Sequence, residues 1–353
     1  MGEKTKETMK LNYSPWSIRV QDFPSNGTLD AKILFLLRFA VLAPSGHNSQ
    51  PWVFSVKDSA LTLQIDPMRR LPVGDEDDHL LYISMGCFIA NLVVAADYYG
   101  MKFNAEYFPQ LEKGDKERIA VFHFDDQDRL QNNLNRDHLL FSIIGRTTNR
   151  HKHTSKELPK TLMVELQKLP GIGEKLSISS DKKLIKEIGH IAVNASIEEM
   201  DIPGFRRELS TYVKNNTTKE KFGIPAFGMG IPTIVSYLVP FLLRKINMNR
   251  LGRKNDLELF HNFTCGIGIV STEKDNKMDW INAGILFEHV ALVAQKEGVF
   301  LSVYASPIIL PSYRNELKRV SNISAYPQLL FRIGYPEQNT PHSPRFSVDD
   351  KIL

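Results

Sequence analysis

The sequence predicts an α+β chain assembled from two related halves, and three observations carry that prediction. Apolar residues fill 42% of its 353 positions and charged residues 24%, a mix able to bury a substantial core. Short strand-like runs lie between longer apolar runs of helical length. One of those helical runs occurs twice. Ser84–Gly100 lies over Asn282–Gly298 at a constant offset of 198, pairing Gly86 with Gly284, Ala96 with Ala294 and Gly100 with Gly298. At the same offset Pro109 meets Pro307. Each copy reads as a largely buried helix stopped by a glycine, then a strand and a proline. Two copies are too few for a solenoid and suggest a fused pseudo-dimer.

The elements follow in order. Ala31–Ala43 is apolar on nearly every face and predicts a buried helix. Trp52–Val56 and Leu61–Ile65 predict a hairpin around Lys57-Asp58-Ser59-Ala60, with Leu61, Leu63 and Ile65 alternating inward. Arg118–Phe124 predicts a strand, and the polar, Asn/Gln-rich Asp126–Arg136 a link between halves. Leu162–Leu169 and Lys182–Met200 predict helices; Phe263–Ser271 and Leu329–Ile333 predict strands. The acidic run Asp75–Asp78 reads as a solvated helix start. The expected division is an N-terminal extension over 1–28, a first half over 29–130, and a second half over 137–353 with a lid-like insertion at about 201–262.

Charge and cysteine usage narrow the classes. A net charge of +4, with Lys and Arg spread along the chain, argues against a nucleic-acid partner. Cys87 and Cys265 sit in apolar runs and read as buried thiols, not as a disulfide or metal site. The charged Met1–Asn12 has no signal-peptide character, so a cytoplasmic location is expected. Gly223–Leu243 holds no charged residue and is followed by Arg244, Lys245, Arg250, Arg253 and Lys254, the look of a membrane span. Pro225, Pro232 and Pro240 with Gly223, Gly228 and Gly230 would break such a helix repeatedly, which favours an apolar cover or interface. Peripheral membrane contact and oligomerisation are left open.

Two clusters could carry chemistry. Pro44-Ser45-Gly46-His47-Asn48-Ser49-Gln50-Pro51-Trp52 puts short hydrogen-bonding side chains between rigid prolines, suited to a flat ligand with polar edges. Gly145-Arg146-Thr147-Thr148-Asn149-Arg150 puts two guanidiniums and two hydroxyls within reach of a phosphate. Gly171-Ile172-Gly173, Gly228-Met229-Gly230 and Gly266-Ile267-Gly268 each lack the third glycine of a dinucleotide fingerprint.

The first cluster resembles the A-P-S-x-x-N-x-Q-P-W segment of the nitroreductase superfamily. Arg146, Thr148 and Arg150 resemble that family's R-R-S-x-R motif, with Thr147 in place of its second Arg, and His342-Ser343-Pro344-Arg345 resembles its terminal basic motif. The chain resembles the fused, tandem nitroreductase-like proteins of the Acg type, and that likeness extends over about residues 30–350. It implies a nitroreductase-like α+β fold with FMN held between the halves by Pro44, Ser45, His47, Asn48, Gln50, Arg146, Thr148, Arg150 and Arg345. Ser306 and Pro307 stand where the family's second-half strand end passes the flavin ring. The implied activity is NAD(P)H-linked reduction of a small-molecule nitro, quinone or related acceptor, with no catalytic side chain because the flavin carries the hydride, and no metal. The alternative is a flavin-sequestering protein whose lid leaves little turnover.

Overall fold

Two long helices cross at the centre of the molecule because two glycines allow it. In the computed structural model, which describes residues 11–110, 117–125, 139–169 and 173–353, α2 (His79–Tyr98) packs along α10 (Lys277–Lys296). A Cβ on Gly86 would stand 2.0 Å from the carbonyl oxygen of Ile281, and one on Gly284 would stand 2.0 Å from that of Ile83. No side chain fits at either position, so the backbones themselves touch. The two residues matched by sequence offset meet each other, as a two-fold relation between the helices requires. Both helices close the same way, at Gly100 (φ 70°) and Gly298 (φ 69°).

Each central helix belongs to a four-stranded antiparallel sheet. The first unit runs α1 (Leu29–Ala40), β1 (Trp52–Lys57), β2 (Ala60–Ile65), α2, β3 (Phe103–Tyr107) and β4 (Arg118–Phe124), with strand order β1-β2-β4-β3. Thr28 starts α1 by accepting the Ala31 N–H, and the helix ends ahead of Pro44. Two residues, Asp58 and Ser59, turn β1 into β2 with both φ positive, the geometry of a tight hairpin.

The second unit repeats that order with other loops. It opens with α3 (Leu140–Gly145), α4 (Lys160–Gln167) and β5 (Glu174–Ser179). It then continues, after an insertion, through β8 (Gly266–Thr272), α10, β9 (Phe300–Val303), α11 (Ser306–Ile309), α12 (Pro311–Val320) and β10 (Tyr326–Gly334). Its strand order is β5-β8-β10-β9, which is the first order with each strand replaced by its counterpart. Where the first unit has a two-residue turn, the chain here inserts α5 (Lys182–Asp201), α6 (Pro203–Tyr212), the short pair β6 (Val213–Lys214) and β7 (Ile224–Pro225), α7 (Thr233–Ser236), α8 (Val239–Lys245) and α9 (Met248–Asn262). One apolar core joins α1, α2, α10 and both sheets, and a second packs α5 and α9 against the outer face of β8 and β10.

The expected α+β class is borne out. Several finer expectations change. The uncharged Gly223–Leu243 stretch breaks at its prolines into β7, a 3₁₀ turn at Ala226–Met229, α7 and α8. Along α7 and α8, Ser236, Val239 and Leu243 face inward at helical spacing, whereas Ile234, Leu238 and Phe241 face out. Among the described residues one helix, α2, is long and apolar enough to cross a bilayer, and 89% of its most apolar window is buried inside the protein. Asp75 is no solvated charge. It is buried and accepts the Leu80 and Leu81 N–H groups at 2.8 Å, starting α2. Cys265 is half-buried and Cys87 fully buried, both as free thiols. The expected link at Asp126–Arg136 and the first ten residues of the N-terminal extension lie outside the described residues.

Candidate active site

Pro44 ends the run from α1 and forces the chain into a tight loop before β1. Within that loop His47 (φ 49°), Asn48 (φ 55°) and Gln50 (φ 54°) are all left-handed, a costly backbone for side chains of this kind. The surroundings hold it. Asn48 Nδ2 donates to the carbonyls of Gly223 and Pro344, both at 2.9 Å, and Asn48 Oδ1 accepts from Arg345 Nη1 at 2.5 Å. Gln50 Nε2 donates to the Lys221 carbonyl at 2.8 Å, and its Oε1 accepts the Phe346 N–H at 2.8 Å.

The C-terminal tail crosses from the second unit to reach that loop. After β10 it passes Trp16, whose indole stacks on His342 at 3.9 Å and donates to the Ser343 carbonyl at 2.8 Å. It then pairs with the edge of β1, where Phe54 N–H donates to Lys351 and Leu353 N–H to Phe54. From the other side, the segment after α3 pairs with the edge of β9 through Thr148 and Leu301. Three segments distant in sequence therefore converge on one cleft.

The cleft has two ends. The polar end, about 500 Å³ including open solvent, is lined by Pro44, Ser45, His47, Asn48, Thr147, Thr148 and the guanidiniums of Arg146, Arg150 and Arg345. No carboxylate lines it. Behind the arginines stands Glu288 on α10, wholly buried, with Oε1 3.2 Å from Arg146 Nε. Burial raises the Glu288 pKa, while Arg146 and Arg345 oppose the rise. Arg345 is pushed down to about 9, first by burial and then by Arg146, with Glu288 opposing. Burial also lowers Arg150, which is walled in by protein yet keeps an open surface because it faces the cleft. His47 and His342 fall to about 4, through burial first and then through the arginines, Arg150 for His47 and Arg345 and Arg146 for His342. Both rings are thus neutral at pH 7. Three cations against one carboxylate leave a local surplus of two positive charges, which a dianion would balance.

The other end is larger and mostly apolar, about 1110 Å³ with part open to solvent, and shares Pro44, Ser45, His47, Thr148, Arg150 and Ile224 with the first. Ile83, Phe287, Val303 and Leu329 form its floor. Met200, Phe205, Leu209, Ile224 and Asn249 of the insertion form the wall opposite. Ser306 lines this end and donates from Oγ to Glu199 Oε2 at 2.6 Å.

Of the residues singled out from sequence, the fold gathers Pro44, Ser45, His47, Asn48, Arg146, Thr148, Arg150, Arg345 and Ser306 around the cleft. Two stand elsewhere. Gln50 is fully buried beneath the loop, with its amide committed to Lys221 and Phe346, so it shapes the loop without facing the cleft. Pro307 is buried in the first turn of α11, where its missing N–H and fixed φ suit a helix start. Sequence reasoning missed Glu288 and Glu199. The signal for Glu288 was an acid where the offset of 198 places Ala90 in the apolar first copy.

No protein-family model matches the chain. Two curated relatives from Mycobacterium tuberculosis, strains CDC 1551 / Oshkosh and ATCC 25618 / H37Rv, each bear the name "Putative NAD(P)H nitroreductase". Each is 25% identical over 324 residues, covering 90% of this chain and 90% of its own. Among solved structures, oxidised iodotyrosine deiodinase bound to FMN and 3-iodo-L-tyrosine aligns at 14% identity and a TM-score of 0.38, over 59% of this chain and 95% of its own. The FMN-dependent nitroreductase NfnB of Mycobacterium smegmatis, in complex with NADPH, aligns at 13% identity and a TM-score of 0.36, over 56% and 86%. Likeness at those scores adds no weight. Over nine-tenths of its length, then, the chain is similar in sequence to two proteins that carry a nitroreductase name.

Proposed function

We propose that this chain is an FMN-dependent oxidoreductase that passes hydride from NAD(P)H to small nitro, quinone or related acceptors, with one flavin lying between the two units. The convergence of Arg146, Arg150 and Arg345 against a single buried carboxylate carries the reading. A phosphate monoester is close to a dianion at neutral pH, and arginine forks match its oxygens. Nε of Arg345 is buried without a hydrogen-bond partner among the described residues, as expected of a cradle with room for more acceptors. The adjoining apolar end suits a flat aromatic ring.

In this reading Arg146, Arg150 and Arg345 hold the phosphate, with Thr148 and Ser45 adding hydroxyl donors. Glu288 fixes Arg146 from behind. Asn48 stands at the polar end and His47 at the junction of the two ends, where a neutral imidazole can hydrogen-bond without adding charge. FMN, when bound, supplies the hydride-transfer chemistry. The protein binds, orients and shields it. We also infer that residues 29–130 and 137–353 descend from one duplicated unit, supported by the shared strand order and the Gly86–Gly284 contact.

The insertion supports a second reading, flavin sequestration, because Met200, Phe205 and Leu209 wall the face that donor and acceptor would use. One experiment separates the two. The purified protein, reconstituted with FMN, is mixed anaerobically with NADPH or NADH and its flavin absorption followed. Bleaching, followed by recovery on adding a quinone or nitroarene, is the outcome expected of the oxidoreductase. Flavin bands that persist would favour sequestration, and failure to take up FMN would reject both.

A further inference from the structure

Glu199 is a buried acid in the apolar end of the cleft, and neither phosphate binding nor shielding of the ring gives it a task. It lies on α5, 7% exposed, in the same cavity as Ile83, Phe287, Val303 and Leu329. The one side-chain hydrogen bond it makes among the described residues comes from Ser306 Oγ, and no cation pairs with it there.

Several charged or polar groups on the elements packed around it are committed elsewhere. On α6, Glu208 is tied to the N–H groups of Val73 and Gly74, and Arg206 donates to the Met200 carbonyl at 2.6 Å. On α9, Arg250 pairs with Asp201 at 2.5 Å, and Asn249, the polar group of α9 that lines the cleft, is bonded to Ser196. On α12, Tyr313 is bonded to Glu198, and α11 presents Ser306 alone. Across the cleft stand Arg150, which lines both ends and makes no ion pair with Glu199 among the described residues, and the neutral ring of His47.

A carboxylate with one neutral donor and no cation is costly in such a place, so burial favours the protonated form. Its pKa is pushed up to about 7 by burial first, with Ser306 opposing and Glu208 adding to the rise. An acid poised near neutral pH and facing a substrate-sized cavity is well matched to proton donation.

We propose that Glu199 donates the proton that completes reduction of the electron acceptor in this cleft. The proposal rests on the oxidoreductase reading. Reduction of a quinone to hydroquinone takes two electrons and two protons. Hydride from the reduced cofactor of that reading brings both electrons and one proton; the Glu199 O–H bond breaks and its proton goes to the acceptor oxygen. The carboxylate left behind regains a proton from water as product departs. For a nitro group, hydride plus the Glu199 proton likewise gives the nitroso compound and water. Ser306 holds the acid by its hydroxyl and limits how far its proton affinity rises.

The test uses FMN-loaded wild type, Glu199→Gln and Ser306→Ala. Two readouts are taken, the rate of reoxidation by a quinone from pH 5 to pH 9 and the infrared carbonyl band of protonated carboxylic acids. Wild-type reoxidation should fall as pH rises through about 7, and Glu199→Gln should be slower by about 100-fold at pH 6 with a flat profile. Bleaching by NADPH should be unchanged in that variant. A carboxylic-acid band present in wild type at pH 6 should be missing from Glu199→Gln. In Ser306→Ala the break in the profile should move upward by roughly one pH unit. Wild-type reoxidation with an unaltered pH profile in Glu199→Gln, or no difference in the infrared band, would overturn the proposal while leaving flavin chemistry standing. Wild type that takes up FMN but is not bleached by NADPH or NADH would overturn the oxidoreductase reading, and this proposal with it.

Discussion

The connection between β1 and β2 takes two residues, and the equivalent connection between β5 and β8 takes residues 180–265. Around those connections the strand order, the antiparallel pairing, the following central helix and its closing glycine all match. So large a difference in one loop, on matching sheets, shows where the two units divide their work. The first unit supplies the strained Pro44–Gln50 loop and a rigid edge for the tail. The second supplies Arg146, Arg150 and the acid pair Glu288 and Glu199, and its insertion builds the wall of the apolar end. A hairpin loop can grow this much because closing a longer loop costs little more than closing a short one, provided the new residues pack. Here they do, as α5 and α9 cover the outer face of the second sheet.

The comparison can be broken at its axis. Gly86→Val places a branched side chain where even a Cβ would stand 2.0 Å from the Ile281 carbonyl oxygen. The two central helices must separate, so the loss should be the largest of any single substitution, about 3 kcal/mol or more. Urea unfolding reads it directly. A midpoint equal to wild type would mean that the helices do not pack through Gly86 and Gly284 as described.

A smaller effect should come from the insertion. Replacing Ala226–Leu243 with a short glycine–serine link removes the exposed apolar face of α7 and α8 but spares Gly223, which Asn48 needs. FMN should still bind, because the arginines are untouched. If the insertion shapes a productive pocket, preference among quinones and nitroarenes should narrow by several-fold; if it shields the flavin, NADPH oxidation should rise. The same acceptor preference and the same rate would remove both roles.

Much of this architecture could be read from the chain before the fold was known, and the reasons differ by region. The central helices were legible because close backbone packing demands glycine, and glycine at a fixed offset leaves a trace that neutral apolar residues do not. The loop at Pro44–Asn48 and the segment at Arg146–Arg150 were legible because local chemistry is concentrated there. Strands β5 and β8 are neighbours across an insertion of helices, and no local periodicity reports a pairing of that range. Glu288 and Glu199 were obscure for a related reason. Each is a single acid on a helix, and its meaning comes from partners more than a hundred residues away, Arg146 and Ser306. Gln50 misled because its neighbours line the cleft while its own amide turns inward to tie the tail.

The most direct test of phosphate capture by the three arginines is the affinity of the flavin-free protein for FMN against riboflavin, measured by quenching of flavin fluorescence at moderate salt. The two ligands share the ring and the ribityl chain and differ in the phosphate. Two or three charge-assisted contacts at about 1.5 to 3 kcal/mol each predict FMN binding at least about 100-fold tighter than riboflavin. Equal affinities for the two would contradict the account, because Arg146, Arg150 and Arg345 would then have no phosphate to hold.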